Sequence, residues 1–334
     1  MSWIRNKAVI AVAAVVVLAG LVTGVLLAAR GGGQTNPVPA TPSPTPTPTT
    51  QPLLSPFTGE PVSSLNRVLA VKIDNIVNAR PQTGLTHADI VYVLPVEGGL
   101  SRFLAVFSSH YPPVIGPVRS AREDDLELLR QFGRPAFAYS GATATLLPYI
   151  KRTARIVNLY SGITRGYYRD LSRIAPYNLY AHTRQLVAQA RGASKARDIG
   201  FRFGPPPPGG KVTRSASVSY PAASFRFTWS VSKGRWLVSM DGTPATTAHG
   251  GRLSAATVVI QHTTVRTSRF LEYGKPPPYA ESVGSGTALV LRDGKAWTTH
   301  WSRPNANAGT TFTTASGQRM TFTLGQVWVV LAYR

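Results

Sequence analysis

The 334-residue sequence predicts an α+β protein: a single N-terminal transmembrane helix, a first outer domain of mixed α/β structure, and a second that is mostly antiparallel β. Three observations carry this. Residues 8–29 contain no charged side chain. Between residues 68 and 191, near-continuous apolar runs alternate with segments opened by helix-start signals. Beyond Pro205–Pro208 the pattern changes to short alternating runs separated by Gly-containing turns.

The 22 residues of the apolar stretch, at ~1.5 Å rise per residue, are long enough for a ~30 Å hydrocarbon core. Arg5 and Lys7 precede it, so the positive-inside rule places residues 1–7 in the cytoplasm and the rest outside. A cleavable signal peptide would have a shorter apolar region, although Ala28 and Ala29 supply the small residues that cleavage requires. Residues 30–55 read as a linker: three glycines, then a Pro/Thr alternation that favours extended polyproline II. The expected organisation is therefore a tail (1–7), a span (8–29), a linker (30–55) and two outer domains (56–204 and 205–334).

In the first outer domain, residues 68–73, 90–94 and 102–107 are predicted as strands buried on both faces. Ser120 is placed to cap a helix with Glu123 reaching back, and Leu126, Leu128 and Leu129 give it an apolar face. Pro135 ends it. A strand over 136–139, a short helix over 143–151 and a helix capped by Thr183 running to about 191 follow. In the second, 225–229, 235–239, 257–261, 286–291, 295–301, 310–314, 319–324 and 327–331 are predicted as strands of a meander, with Asp293-Gly294 and Ser316-Gly317 as turns. Trp236, Trp297, Trp301 and Trp328 pack in one core or line a sugar-stacking groove.

The formal charge is +22, and about +19 of it lies beyond the span. Such a field favours polyanions, and the topology selects an anionic cell-wall polymer or fragment over nucleic acid. The chain has no cysteine, which excludes disulfides, thiol catalysis and anchoring through a lipidated Cys. No zinc-protease, nucleophile-elbow or phosphate-loop motif occurs, so neither catalytic residues, a metal site nor a cofactor is assigned. The six histidines are scattered, and Asp241, His249 and His262 could form a metal site only by folding together.

Polar clusters at strand ends, beside Gly or Pro, mark the candidate site. They are Asp74-Asn75 with Arg80, Glu97-Gly98-Gly99 with Ser101 and Arg102, and Arg119-Ser120-Ala121-Arg122. Two arginines at a helix start can grip an anion with their forks and the free N–H groups. They could equally bridge to Glu97, Asp124 or Asp125, since four of the fourteen acids lie within 123–127. A glycosidase would need Glu97 with Asp74 or Asp89. A third possibility is a protein-interaction module built on the Trp-rich second domain.

The same motifs carry a resemblance. Asn75, Ala79-Arg80-Pro81-Gln82, Ala88-Asp89-Ile90-Val91-Tyr92, Val96-Glu97-Gly98-Gly99, Arg102-Phe103-Leu104 and Ile115-Gly116-Pro117-Val118-Arg119-Ser120-Ala121-Arg122 resemble the YerB-like lipoproteins, a domain family of unknown function. Ala175-Pro176-Tyr177-Asn178-Leu179-Tyr180 is similar to its second block, and the likeness resumes at 284–301 and 324–328. The resemblance implies a two-part ectodomain at a bacterial cell surface and supplies no activity. It adds Asn178 and Tyr180 to the expected ligand-binding set of Asn75, Arg80, Glu97, Arg102, Arg119, Ser120 and Arg122. This sequence departs from the family in two ways. It has no lipobox Cys, and Tyr177 stands where relatives commonly carry His.

Overall fold

The computed structural model describes residues 51–153, 155–272 and 274–334. The expected span at 8–29 and most of the linker lie outside them. Among the described residues no helix is long and apolar enough to cross a membrane.

Strands dominate. One sheet uses eleven: β1 (Leu69–Asp74), β2 (Ile90–Pro95), β3 (Ser101–Phe107), β4 (Ala136–Tyr139), β5 (Val157–Tyr160), β6 (Lys211–Val212), β7 (Thr257–Thr263), β8 (Gly284–Arg292), β9 (Lys295–Arg303), β10 (Thr311–Thr314) and β11 (Val327–Tyr333). Their spatial order is β10-β9-β8-β7-β11-β2-β3-β1-β4-β5, with β6 alongside β9. Three short helices accompany it: α1 (Glu123–Leu129), α2 (Leu146–Arg152) and α3 (Thr183–Gln189).

The apolar runs form strands because both faces of the sheet are covered. Along β1, Leu69, Val71 and Ile73 enter one core, and Ala70, with Val68 just before the strand, the other. β11 alternates in the same way, with Trp328 and Val330 on one side and Val327, Val329 and Leu331 on the other. One face packs on a smaller five-stranded sheet that supplies Phe225, Phe227, Trp236 and Val238. The opposite face packs on α1, α2 and neighbouring loops through Leu128, Leu129, Phe132, Leu146 and Ile150. The four tryptophans named above are all buried, Trp236 and Trp328 on the first face and Trp297 and Trp301 on the second. They form neither one core nor a groove.

The structure corrects several local expectations. The final strand is no meander member: β11 is inserted between β7 and β2, parallel to both, pairing Ile90 with Val327 and Thr257 with Val327 on its two edges. One sheet therefore runs through residues from both halves of the sequence. Gln326 fixes the insertion, donating from Nε2 to Leu85 O (2.8 Å) and Ala88 O (2.7 Å), while its Oε1 accepts from Trp328 Nε1 (2.8 Å). Residues 319–324 make only isolated bridges, Arg319 to Thr313 and Phe322 to Phe203. The hairpin at Asp293-Gly294 forms as its sequence predicts, with φ of 49° and 71°.

Helix α1 starts after Arg122 and is not capped by Ser120. Asp125, three residues into the helix, accepts the Arg122 backbone N–H (2.7 Å), while Glu123 turns away to Ser268 Oγ (2.6 Å) and the Arg269 N–H (3.0 Å). α3 is preceded by His182, and the Thr183 hydroxyl donates to Pro112 O rather than capping.

Candidate functional site

A cleft of about 580 Å³ opens at one end of the large sheet, where β1 ends and β2 turns into β3. Its walls come from four segments: Asp74 at the end of β1, the turn and strand start holding Glu97, Ser101 and Arg102, the approach to α1 with Arg119, Ser120 and Arg122, and the loop carrying Glu272 and Lys275. Tyr177 completes it.

The local sequence explains the placement. The β1–β3 register sets Arg102 opposite Asp74. Glu97 sits on a one-turn 3-10 element whose Gly98 and Gly99 have φ of 68° and 70°, a conformation that favours glycine. A Cβ on Gly99 would also lie 2.6 Å from Pro221, so this position needs glycine twice over.

The charges fall into two groups. Asp74 lies between two guanidinium groups, 2.8 Å from Arg119 Nε and 3.8 Å from Arg102 Nε. Neither Nε–H is aimed along a hydrogen bond, although both atoms are buried. Arg102 Nη1 donates to Ser120 O (3.1 Å), and Nη2 has no partner among the described residues. Conversely, Arg122 lies between two carboxylates, donating from Nε to Glu97 Oε1 and approaching Glu272 Oε1 with Nη2 (3.4 Å). Lys275 has no ion-pair partner within 4.0 Å among the described residues. The Arg119 guanidinium stands over the Tyr177 ring, 5.4 Å from its centre.

These surroundings shift two groups. Burial, then the adjacent Arg122 charge, pushes Arg102 down to about 10 against the opposing pull of Asp74 and Glu97. For Glu97, burial alone would raise the carboxyl. The Arg122 hydrogen bond and the Arg122 and Arg102 charges outweigh it and hold Glu97 below the usual glutamate range.

The cleft thus brings together Glu97, Arg102, Arg119, Ser120 and Arg122 from the expected set. Asn75 and Arg80 stand behind it. Asn75 Nδ2 donates to Ser101 Oγ (3.0 Å), and Arg80 donates to Asn75 O (2.8 Å) and pairs with Asp241 (2.8 Å). Asn178 and Tyr180 lie elsewhere: Asn178 is buried and accepts from Arg169 (2.7 Å), and Tyr180 is buried beneath Gly116 and Arg173. Asp89 is also remote, accepting the Ser108 and Ser109 amides (2.6 and 2.9 Å). Of the two carboxylates considered beside Glu97, then, only Asp74 shares its cleft. Among the described residues no group of His, Asp and Glu is arranged to hold a metal ion, so Asp241, His249 and His262 do not converge.

Tyr177, Glu272 and Lys275 were not expected. Tyr177 lies in a motif block, where it stands in place of the His common in relatives. Glu272 and Lys275 carry no motif, and their loop reaches the cleft only through tertiary packing.

Two family descriptions match the sequence in order, "Protein of unknown function (DUF3048) N-terminal domain" over residues 57–197 and the corresponding C-terminal domain over 216–329. The chain belongs to this family. The Bacillus subtilis protein named "Putative lipoprotein YerB" is 49% identical over 74 residues, 21% of this chain and 22% of that protein, so the alignment spans about a fifth of the relative's length. The crystal structure of YerB from Bacillus subtilis superposes with a TM-score of 0.72 at 21% identity, covering 84% of this chain and 96% of that one. At that identity the likeness establishes the fold. The YerB-like resemblance read from the motifs is therefore confirmed, and the family description assigns no activity.

Proposed function

We propose that this family member is a membrane-anchored, extracytoplasmic binding protein whose cleft takes an anionic group of a cell-wall component. The observation that carries the reading is Arg102. It is nine-tenths buried, it lines the cleft, and its Nε–H and Nη2 find no hydrogen-bond acceptor among the described residues. A buried guanidinium with unfilled donors is costly unless a ligand supplies the acceptors. Lys275 adds a second cation with no carboxylate partner among the described residues. The apolar, charge-free stretch at 8–29, the basic balance of the outer chain and the lipoprotein designation of the Bacillus subtilis relative support the location.

Of the two roles open to Arg122, ligand contact and internal bridging, its contacts favour the second. It is 3% exposed and committed to Glu97, Glu272 and Ala121 O, so it organises the walls rather than reaching for ligand. The hydrolase reading is weakened by the same contact. Glu97 is held ionised, which suits a nucleophile or base and not the proton donor that glycoside cleavage also needs.

Titration calorimetry with soluble wall fragments tests the proposal. Replacing Arg119 and Lys275 together with Gln should weaken binding at least tenfold, and wild-type binding should persist at raised ionic strength. Equal affinity in the double variant would refute the assignment of the cleft. Loss of wild-type binding at modest salt would reduce the interaction to generic charge attraction.

A further inference from the structure

The ion pairs of the cleft fall into two groups of unequal charge. At one end two guanidinium groups, Arg102 and Arg119, share one carboxylate, Asp74. At the other, two carboxylates, Glu97 and Glu272, share one guanidinium, Arg122. The first group carries a surplus positive charge and the second a surplus negative one. Each surplus has unfilled hydrogen-bonding capacity. Among the described residues Arg102 Nη2 has no acceptor and Glu272 Oε2 has no donor, while Arg122 is the only side chain that donates to Glu97. A site built only for a polyanion has no use for the acidic end, which would repel it. Among the described residues only Arg122 lies within ion-pair distance of the two carboxylates, and Lys275, on the Glu272 loop, pairs with neither.

We infer that the ligand is a zwitterion, a short peptide with a free carboxylate for the Arg102–Arg119 end and a primary ammonium for the Glu97–Glu272 end. This rests on the binding-cleft reading above and narrows it. The volume, about 580 Å³, exceeds what a single small amino acid fills and lies within the usual span for small-ligand sites, ~300–1,000 Å³. An ammonium presents three donors, which two carboxylates that share a single guanidinium can accept. Glu272 and Lys275 stand on the same short loop, joined by reciprocal backbone hydrogen bonds of 2.8 and 3.0 Å. That loop therefore offers one group of each sign to the bound molecule.

The test uses the full chain in mild detergent and trialanine in both the L and D configurations. Each form is presented free, N-acetylated and as the C-terminal amide, with soluble anionic wall polymer run in parallel. Free trialanine of one configuration should bind, and blocking either end should weaken it at least tenfold. Glu272→Gln should abolish the discrimination against the acetylated form, and Lys275→Gln should reduce the discrimination against the amide. Both positions lie in a loop, and a thermal melt checks that each variant folds. If the acetylated peptide binds as well as the free one while the amide does not, the zwitterion inference fails and the anion-binding reading stands. If wall polymer binds and no peptide does, the outcome is the same. If neither binds, both readings fall.

Discussion

Lys72 is a lone charge in the middle of an apolar strand, and the sequence offers no partner for it. The structure supplies one 53 residues away: Lys72 Nζ donates to Asp125 Oδ1 at 2.6 Å, with both side chains fully buried. Removing one member of such a pair strands the other charge. Lys72→Met should cost about 3–5 kcal/mol, read as a fall in the urea midpoint. Two nearby or comparable carboxyls act in the opposite sense. Burial, then the Asp125 charge, pushes Asp124 up to about 7. Burial pushes Asp89 up to about 6 even though the Ser109 and Ser108 amides pull it down. Each binds its proton more tightly folded than unfolded. Their contribution to stability is therefore fully present below ~4 and is lost as pH rises through about 6 for Asp89 and about 7 for Asp124. Asp124→Asn should raise the unfolding midpoint at pH 8 and leave it nearly unchanged at pH 4; a drop at pH 8 would show that the carboxylate is favourable where it sits. At this scale the sequence revealed which residues were polar and misplaced. It offers Glu97 as a partner for Arg122 but not Glu272, which is 150 residues distant and takes the other arm of the fork.

The element that organises the site is α1, seven residues long with four acids. Their concentration at 123–127 was legible, and so was the chance of internal pairing. Their partners were not. Glu123 holds Ser268 and Arg269, Asp124 accepts the Ala280 N–H (3.4 Å), and Glu127 accepts from Tyr279 Oη (2.6 Å) and from Ser282 N and Oγ (3.1 and 2.9 Å). The helix thus docks residues 268–282, the segment that carries Glu272 and Lys275 into the cleft. Glu127→Ala should speed hydrogen exchange at Ala280 and Ser282 and weaken ligand binding, with a global cost of about 1–3 kcal/mol for the donors left unsatisfied. Unchanged exchange in that segment would mean that the loop holds itself. The strands were read well because two-sided burial leaves a near-continuous apolar signature. The helix starts are less legible: at α1 the box joins Arg122 and Asp125, two residues beyond the Ser120–Glu123 pattern, and at α3 the Thr183 hydroxyl turns to Pro112, 71 residues away.

For the molecule as a whole, the informative strand is the last. β11 lies between β7 and β2, so the sheet joins early and late residues of the chain, and Gln326 ties its entry to the loop before β2. The continuous apolar run at 327–331 marks a strand but says nothing about its neighbours, since parallel partners are set by topology rather than by a turn. Residues 51–334 should accordingly unfold in one transition by fluorescence and circular dichroism together. Deleting 327–334 should abolish cooperative unfolding, because it opens the edges of β7 and β2 and removes apolar side chains from both cores. Two separated transitions in the intact protein would contradict a shared core.

The central claim is that the cleft beside Arg102 is where this protein meets its ligand. Hydrogen exchange in the presence and absence of saturating soluble wall fragments tests it most directly. The account predicts slowed exchange confined to three stretches, residues 96–102, 119–122 and 272–275, and absent from the Arg119→Gln/Lys275→Gln variant. Protection centred elsewhere, or protection that survives in the variant, would place the ligand on a different surface and leave the cleft a structural meeting of charges.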